Sequence, residues 1–180
     1  MKKKIFALAL CALMSLSLAA CGQNGQNTGT NSGTTSSDTD KSASGGSAQI
    51  PNPFTECDTV EDAEKVAGFD ITVPENIPEG YELDFVNAAE NDLLQISYKD
   101  GDDNQILLRK GAGSDDISGD YNEYTDNNTV SVGDLSVTMR GNSGTVSVAV
   151  WTSGDYTYAI DMTGAGLSSD TVSALVSGLK

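Results

Sequence analysis

Asp115, Asp116, Asp120, Asn122, Glu123 and Asp126 crowd one stretch of the chain around Tyr121 and Tyr124. Carboxylates at that density can pair for acid–base work on a glycosidic bond, which needs two acids across a sugar-sized cleft, or can form a polar contact surface. A thin sheet domain of the kind read below offers no evident cleft, so Asp115, Asp116, Asp120, Tyr121, Asn122 and Tyr124 are a candidate contact surface, with simple solvation of a surface loop the preferred reading. A bare loop of this length is uncommon in a compact domain, which points to a functional loop or a short helical insertion.

Asp100, Asp102 and Asn104 have the alternate spacing with which calcium loops converge oxygen ligands on a hard cation. Gly111 stands where the bidentate glutamate of such a loop belongs, however, and Gln105 where its glycine belongs. A polar hairpin turn is the preferred reading, with calcium the only cofactor the pattern raises. Histidine is absent from the whole chain. That excludes Ser-His-Asp and Cys-His nucleophilic sites and histidine zinc sites. Cys57 stands before a helix start, but Glu56 and Asp58 flank it and oppose thiolate formation, so it reads as a structural cysteine.

The elements that must position these groups begin near residue 58. Asp58 or Thr59 can cap a helix whose apolar positions are Val60, Ala63 and Ala67 and which ends at Gly68. From Ile71 the period becomes two. Tyr81, Leu83 and Phe85 alternate with acids, Leu94, Ile96 and Tyr98 follow, and Gln105 to Lys110 continues the pattern. Leu135, Val137 and Met139 come next, and Val146, Val148 and Val150 pair across Ser153-Gly154 with Tyr156, Tyr158 and Ile160. A last helix runs over Ser168 to Leu179, with Val172, Leu175, Val176 and Leu179 as its stripe.

The fold class expected is therefore α+β: a curved antiparallel sheet of six or seven strands, covered on one face by an N-terminal and a C-terminal helix. By strand parity Trp151 points away from the face of Val146, Val148 and Val150, sharing a second face with Leu107, Ala149 and Ala159. An outward aromatic there is a candidate platform for a sugar, peptide or lipid; cover by a loop or helix is the alternative, and the preferred one.

The first residues fix an address. Lys2, Lys3 and Lys4 precede an apolar run from Ile5 to Leu18, and Leu18-Ala19-Ala20-Cys21 follows. This resembles a bacterial lipoprotein signal peptide over residues 1–20, and the resemblance implies diacylglycerol and fatty acyl (palmitate-type) modification of Cys21. Several acyl chains would hold the protein on the extracytoplasmic face of the cell membrane. Residues 21–49 comprise that cysteine and a Gly, Ser, Thr and Asn linker too polar to fold, whose coil spans roughly 30 Å. Residues 50–180 are left for a single globular domain.

Removing the signal takes three of the 10 basic residues and none of the 26 acidic ones, so the mature chain has 7 against 26, a formal −19. Such a surface repels nucleic acid and anionic lipid and favours solubility, cationic partners or divalent metal, with solubility alone the preferred explanation. With Cys11 removed and Cys21 acylated, Cys57 has no partner for an internal disulfide.

Ile50-Pro51-Asn52-Pro53-Phe54, Cys57, Gly68-Phe69, Ile71-Thr72-Val73-Pro74 and Asp116-Ile117-Ser118-Gly119-Asp120-Tyr121 together resemble an uncharacterised domain of bacterial lipoproteins. Similar domains stand at the C-terminal end of anti-sigma-factor-like proteins. The resemblance implies a half-barrel sheet distantly similar to lipoprotein-carrier folds and carries no catalytic residues. The expected function is a non-enzymatic binding or sensing module of the cell envelope, meeting an envelope protein or a cell-wall component. The alternatives are a carrier of an apolar ligand on the half-barrel and, behind it, a carboxylate-dependent hydrolase.

Overall fold

The computed structural model describes residues 52–180. The signal peptide, Cys21 and the whole of the linker lie outside the described residues. Among the described residues no helix is long and apolar enough to cross a membrane.

The fold is α+β, with elements in the order β1 (Phe54–Cys57), α1 (Val60–Ala67), β2 (Glu82–Ala89), β3 (Leu93–Lys99), β4 (Gln105–Ala112), β5 (Asp126–Val132), β6 (Leu135–Asn142), β7 (Thr145–Ser153), β8 (Tyr156–Thr163) and α2 (Ser169–Gly178). All eight strands join one antiparallel sheet in the order β1-β2-β3-β4-β8-β7-β6-β5. Eight strands are more than the six or seven expected. β1 is only four residues long, and β5 reads Asp-Asn-Asn-Thr-Val-Ser-Val, whose first half has the composition of a loop. Nor is the sheet the strongly curled half-barrel expected: its edges, β1 and β5, stay apart.

Helix boundaries follow local chemistry. Thr59 caps α1 by accepting the Asp62 amide at 3.1 Å, and Gly68 closes it in the left-handed region at φ 78°. Ser168 caps α2 by accepting the Thr171 amide at 3.1 Å. The stretch from Ile71 to Val73, read as extended by periodicity, joins no sheet; Thr72 instead exchanges two backbone hydrogen bonds with Lys180. Both helices bury their stripes against the same sheet face. There Val86, Ile96, Leu108, Ile160, Ala149 and Met139 lie in register across six strands as one row of the core.

Two register shifts decide which side chains reach that row. One places an extra residue, Asp84, between the pairs Leu83↔Tyr98 and Phe85↔Ser97. It breaks the Tyr81-Leu83-Phe85 alternation, so Phe85, paired with Ser97, leaves the core face and the core residues of β2 become Val86 and Ala88, while Leu83, at the start of the strand, is 55% exposed. The other places Ser147 between Val146↔Gly141 and Val148↔Arg140. Val148 and Val150 thereby leave the face of Val146, while Ala149 and Trp151 join it. The expectation that Trp151 points away from the helix-covered face is thus corrected: it is 3% exposed within the core, stacked on Tyr158 at 5.4 Å between ring centroids.

Lys110 lies on this same face, buried, with its ammonium 4.6 Å from the Tyr156 ring centroid and donating to the Asp70 carbonyl at 2.6 Å.

Candidate functional site

The sheet face opposite the helices is polar at its centre. Gln95, Arg109, Ala159 and Val150 are in register across β3, β4, β8 and β7, and beside them run Ser97, Leu107, Asp161, Val148 and Arg140. Gln95 and Ser97 are buried. Such groups demand partners: Gln95 accepts from Arg109, Ser97 bonds to Asp84 and Gln105, and the two arginines of this face are met by the segment between β4 and β5.

Topology forces that segment across the face. β4 and β5 are four strand steps apart in the sheet, roughly 19 Å at the usual spacing. Residues 113–125 cover the distance as an irregular strap without helix.

The strap is held at both ends and in its middle. The Gly113 amide donates to the Asp155 carbonyl at 2.9 Å, and the Gly113 carbonyl accepts the Thr157 hydroxyl at 2.9 Å. At the other end the Thr125 amide and hydroxyl both donate to Asn142 Oδ1, at 2.9 and 3.0 Å. In between, Arg109 gives Nη1 to the carbonyls of Ile117, at 2.9 Å, and of Ser118, while its Nε donates to Gln95 Oε1 at 3.0 Å. Arg140 gives Nη2 to Asp116 Oδ2 at 3.0 Å and to Ser118 Oγ at 3.1 Å. These are the only two arginines of the chain. Gly119 passes so close to Arg109, at φ 69°, that a Cβ there would sit 2.6 Å from Nη1.

Electrostatics follow from this packing. Burial raises the Asp116 carboxyl, but the hydroxyl and amide of Ser118 and the Arg140 guanidinium outweigh it and hold the group below the usual carboxylate range. Asp120 is likewise held low, its partial burial outweighed by hydrogen bonds from Asn122 and Tyr124. Asp161 goes the other way. Burial and then the neighbouring Asp120 charge push it up, against the pull of Arg109.

Of the acidic-stretch residues singled out from the sequence, Asp116 is exposed and paired with Arg140, and Asp120 ties Asn122 and Tyr124 together. Asp115 and Asn122 are exposed. Tyr121 stands 96% exposed beyond the pinned base. Trp151 belongs to the opposite face and is not brought to the strap. Asp100 spends its carboxylate on the Asp102 and Asn104 amides, each at 2.9 Å, and on Asn104 Nδ2 at 2.7 Å, closing the β3–β4 hairpin. Asn104 Oδ1 accepts the Ala165 amide at 2.8 Å, so the first and last of the three candidate calcium ligands hold the turn itself. Cys57, half-buried at the end of β1, has its thiol pushed up by burial and by Asp62 and Asp58.

The residues that sequence reasoning missed are Gln95, Arg109, Ser118, Arg140 and Asp161. The available signal was parity: Arg109 and Gln95 each occupy the polar phase of an otherwise apolar strand, where a side chain must meet a covering segment.

On the helix side two cavities touch β5. One, of about 490 Å³, is lined by Val132, Leu135, Trp151, Tyr158, Val176 and Leu179, with Asp134 and Lys180 among its polar residues. The other, of about 300 Å³, is lined by Asp126, Asn128, Val130, Met139, Val146 and Ser169 among others.

Residues 71–179 match the family described as "Domain of unknown function (DUF4367)". The chain belongs to this family. No curated protein and no solved structure matches the sequence. The DUF4367 region begins after α1, so β1 and the first helix precede the matched segment while the strap, both arginines and, Lys180 apart, the lining of the two β5 cavities lie inside it.

Proposed function

We propose that this chain is a lipid-anchored lipoprotein of the extracytoplasmic membrane face, a non-enzymatic binding module that presents the strap of residues 113–125 to a cationic envelope partner. The observation that carries the reading is Tyr121, a 96% exposed aromatic at the outer part of a strap whose base is fixed by both arginines of the chain. A strap already ordered before contact loses little entropy on binding, and tyrosine supplies large contact area at low entropic cost. Asp115 and Glu123, exposed on either side, match a basic surface. The signal-like start and Cys21 support the address.

The test is site-directed photo-crosslinking on the full chain in its native envelope. A benzophenone side chain at position 121 is expected to yield a discrete adduct that high salt abolishes, whereas the same probe at Leu83, the other exposed large apolar residue among the described residues, yields none. Equal labelling from both positions, or none from 121, would sink the reading.

A second reading, a carrier of an apolar ligand, is favoured by one observation: the cavity of about 490 Å³ against Trp151 and Tyr158. That volume suits a small ligand. Lipid retained in a native mass spectrum, and lost on Leu135→Asp, would support it.

A further inference from the structure

The two edges of the sheet are built differently. β1 is four residues long, follows Pro53, carries Glu56 and lies beside α1, all devices that discourage another strand from joining. β5 lacks the short length and the proline, although it too carries an acid, Asp126, and lies beside a helix, α2. It runs seven residues, pairs with β6 without a register shift, and contains no proline and no lysine. Among the described residues no backbone hydrogen bond joins it to anything except β6. Alternate residues of an edge strand turn N–H and C=O away from the sheet, so β5 offers a row of unpaired backbone groups to solvent.

Two further features turn an unprotected edge into a receptor. Asp126, Asn128 and Val130 line the cavity of about 300 Å³ and Val132 lines that of about 490 Å³, so every second residue of β5 borders a cavity on the same, helix-bearing face. This is the arrangement by which strand addition gains specificity: the backbone supplies affinity and alternate side chains enter pockets. The second feature is charge. Asp126 begins the strand, Asp134 follows it, and Glu123 precedes it, in a chain of formal charge −16. A second copy would bring like charge to like charge at this edge, whereas a basic segment meets its complement.

We infer that β5 is a strand-addition site that takes an extended basic polypeptide segment of a partner as a ninth strand, with apolar side chains at alternate positions entering the two helix-side cavities. The inference rests on the binding-module reading and names its partner class, because β5 continues directly from the strap that carries Tyr121.

The probe is an acetylated and amidated octapeptide of alternating lysine and valine, titrated into the full mature chain and followed by amide chemical shifts. Shifts are expected at residues 126–135 and at cavity residues such as Ser169 and Val176. Methylating alternate peptide nitrogens should weaken binding at least about tenfold, since several backbone hydrogen bonds are lost. Asn128→Lys, at an exposed position of β5, should weaken it similarly without moving Tm, while a glutamate–valine peptide should not bind. Affinity indifferent to N-methylation, shifts confined to the strap, or self-association of the chain through β5 would overturn the inference. Shifts confined to the strap, together with the Tyr121 adduct, would leave the binding-module reading standing; loss of that adduct alone would remove the reading while the edge is judged on the titration.

Discussion

Replacing Arg109 by methionine keeps an unbranched stem over the sheet and deletes the guanidinium that joins Gln95 to the strap. Three hydrogen bonds from a charged donor disappear: one to buried Gln95 and two to the carbonyls of Ile117 and Ser118. Such bonds are worth about 1.5–3 kcal/mol each, but the two carbonyls can turn to water once the strap lifts, so the net loss should be about 2–4 kcal/mol. For a domain of this size that is a fall in Tm of roughly 8–15 °C. Arg109→Lys should recover less than half, because an ammonium cannot reproduce the fork. The assay is thermal unfolding followed by circular dichroism, paired with hydrogen exchange at residues 114–122. Faster exchange there, with the amides of β3 and β4 still protected, is the expected companion of the lowered Tm. A Tm change within about 2 °C, the size expected of an ordinary surface substitution, would refute the claim that the arginine holds the strap to the sheet.

Asp161 sits above its ordinary pKa, so the folded state binds its proton more tightly than the unfolded chain. Its charge therefore costs nothing below the unfolded value near about 4, and the penalty grows as pH rises through the raised folded value. Asp161→Asn should be as stable as the parent in acid and more stable at pH 7, as a Tm series from pH 3 to 7 would show; an invariant difference would contradict it. Asp116 has the opposite sign: its stabilisation is present above about pH 4 and fades as pH falls through its lowered folded value, so the deficit of Asp116→Asn should shrink in acid in the same series. Gly119→Ala combines a left-handed φ with a contact on Arg109 and should lose about 1–2 kcal/mol or more by urea unfolding, with the strap exchanging faster. Trp151→Ala should cost about 3–5 kcal/mol as a core truncation, where a surface platform would lose less than about 0.5.

Caps and hairpins were legible because they depend on residues close in sequence. Thr59 and Gly68 bound α1, Ser168 precedes α2, and the β7–β8 turn falls at Gly154 as Ser153-Gly154 suggests. The register shifts at Asp84 and Ser147 were not. A single inserted residue leaves no trace in composition, yet it reverses every side chain beyond it, and this alone moved Trp151 from an outward platform to the core. β5 was hidden for another reason. Its pairing with β6 is sustained by backbone bonds while Asn127, Asn128 and Thr129 remain in water, so it carries no hydrophobic period to read. The acidic stretch was visible from the sequence, but its anchors were not, since Arg109 and Arg140 reach it only through the order in which the strands assemble.

That assembly also sets the electrostatic character of the outer surface. Of the six basic residues in the described chain, Lys110 is buried beneath Phe69, Tyr156 and Tyr158, and Arg109 and Arg140 are turned into the strap. Lys65 is matched by Asp62 at 2.7 Å, and Lys99 lies 3.7 Å from Asp103. Half of the domain's cations thus serve internal packing, and two of the remaining three stand beside a carboxylate of their own. The face that a partner meets is consequently more acidic than the net charge alone implies. The strap, Tyr121 and the unprotected edge of β5 lie within that field. A basic partner would be drawn there by long-range attraction and then held by short-range contacts, so raising salt should slow its association more than it speeds its release.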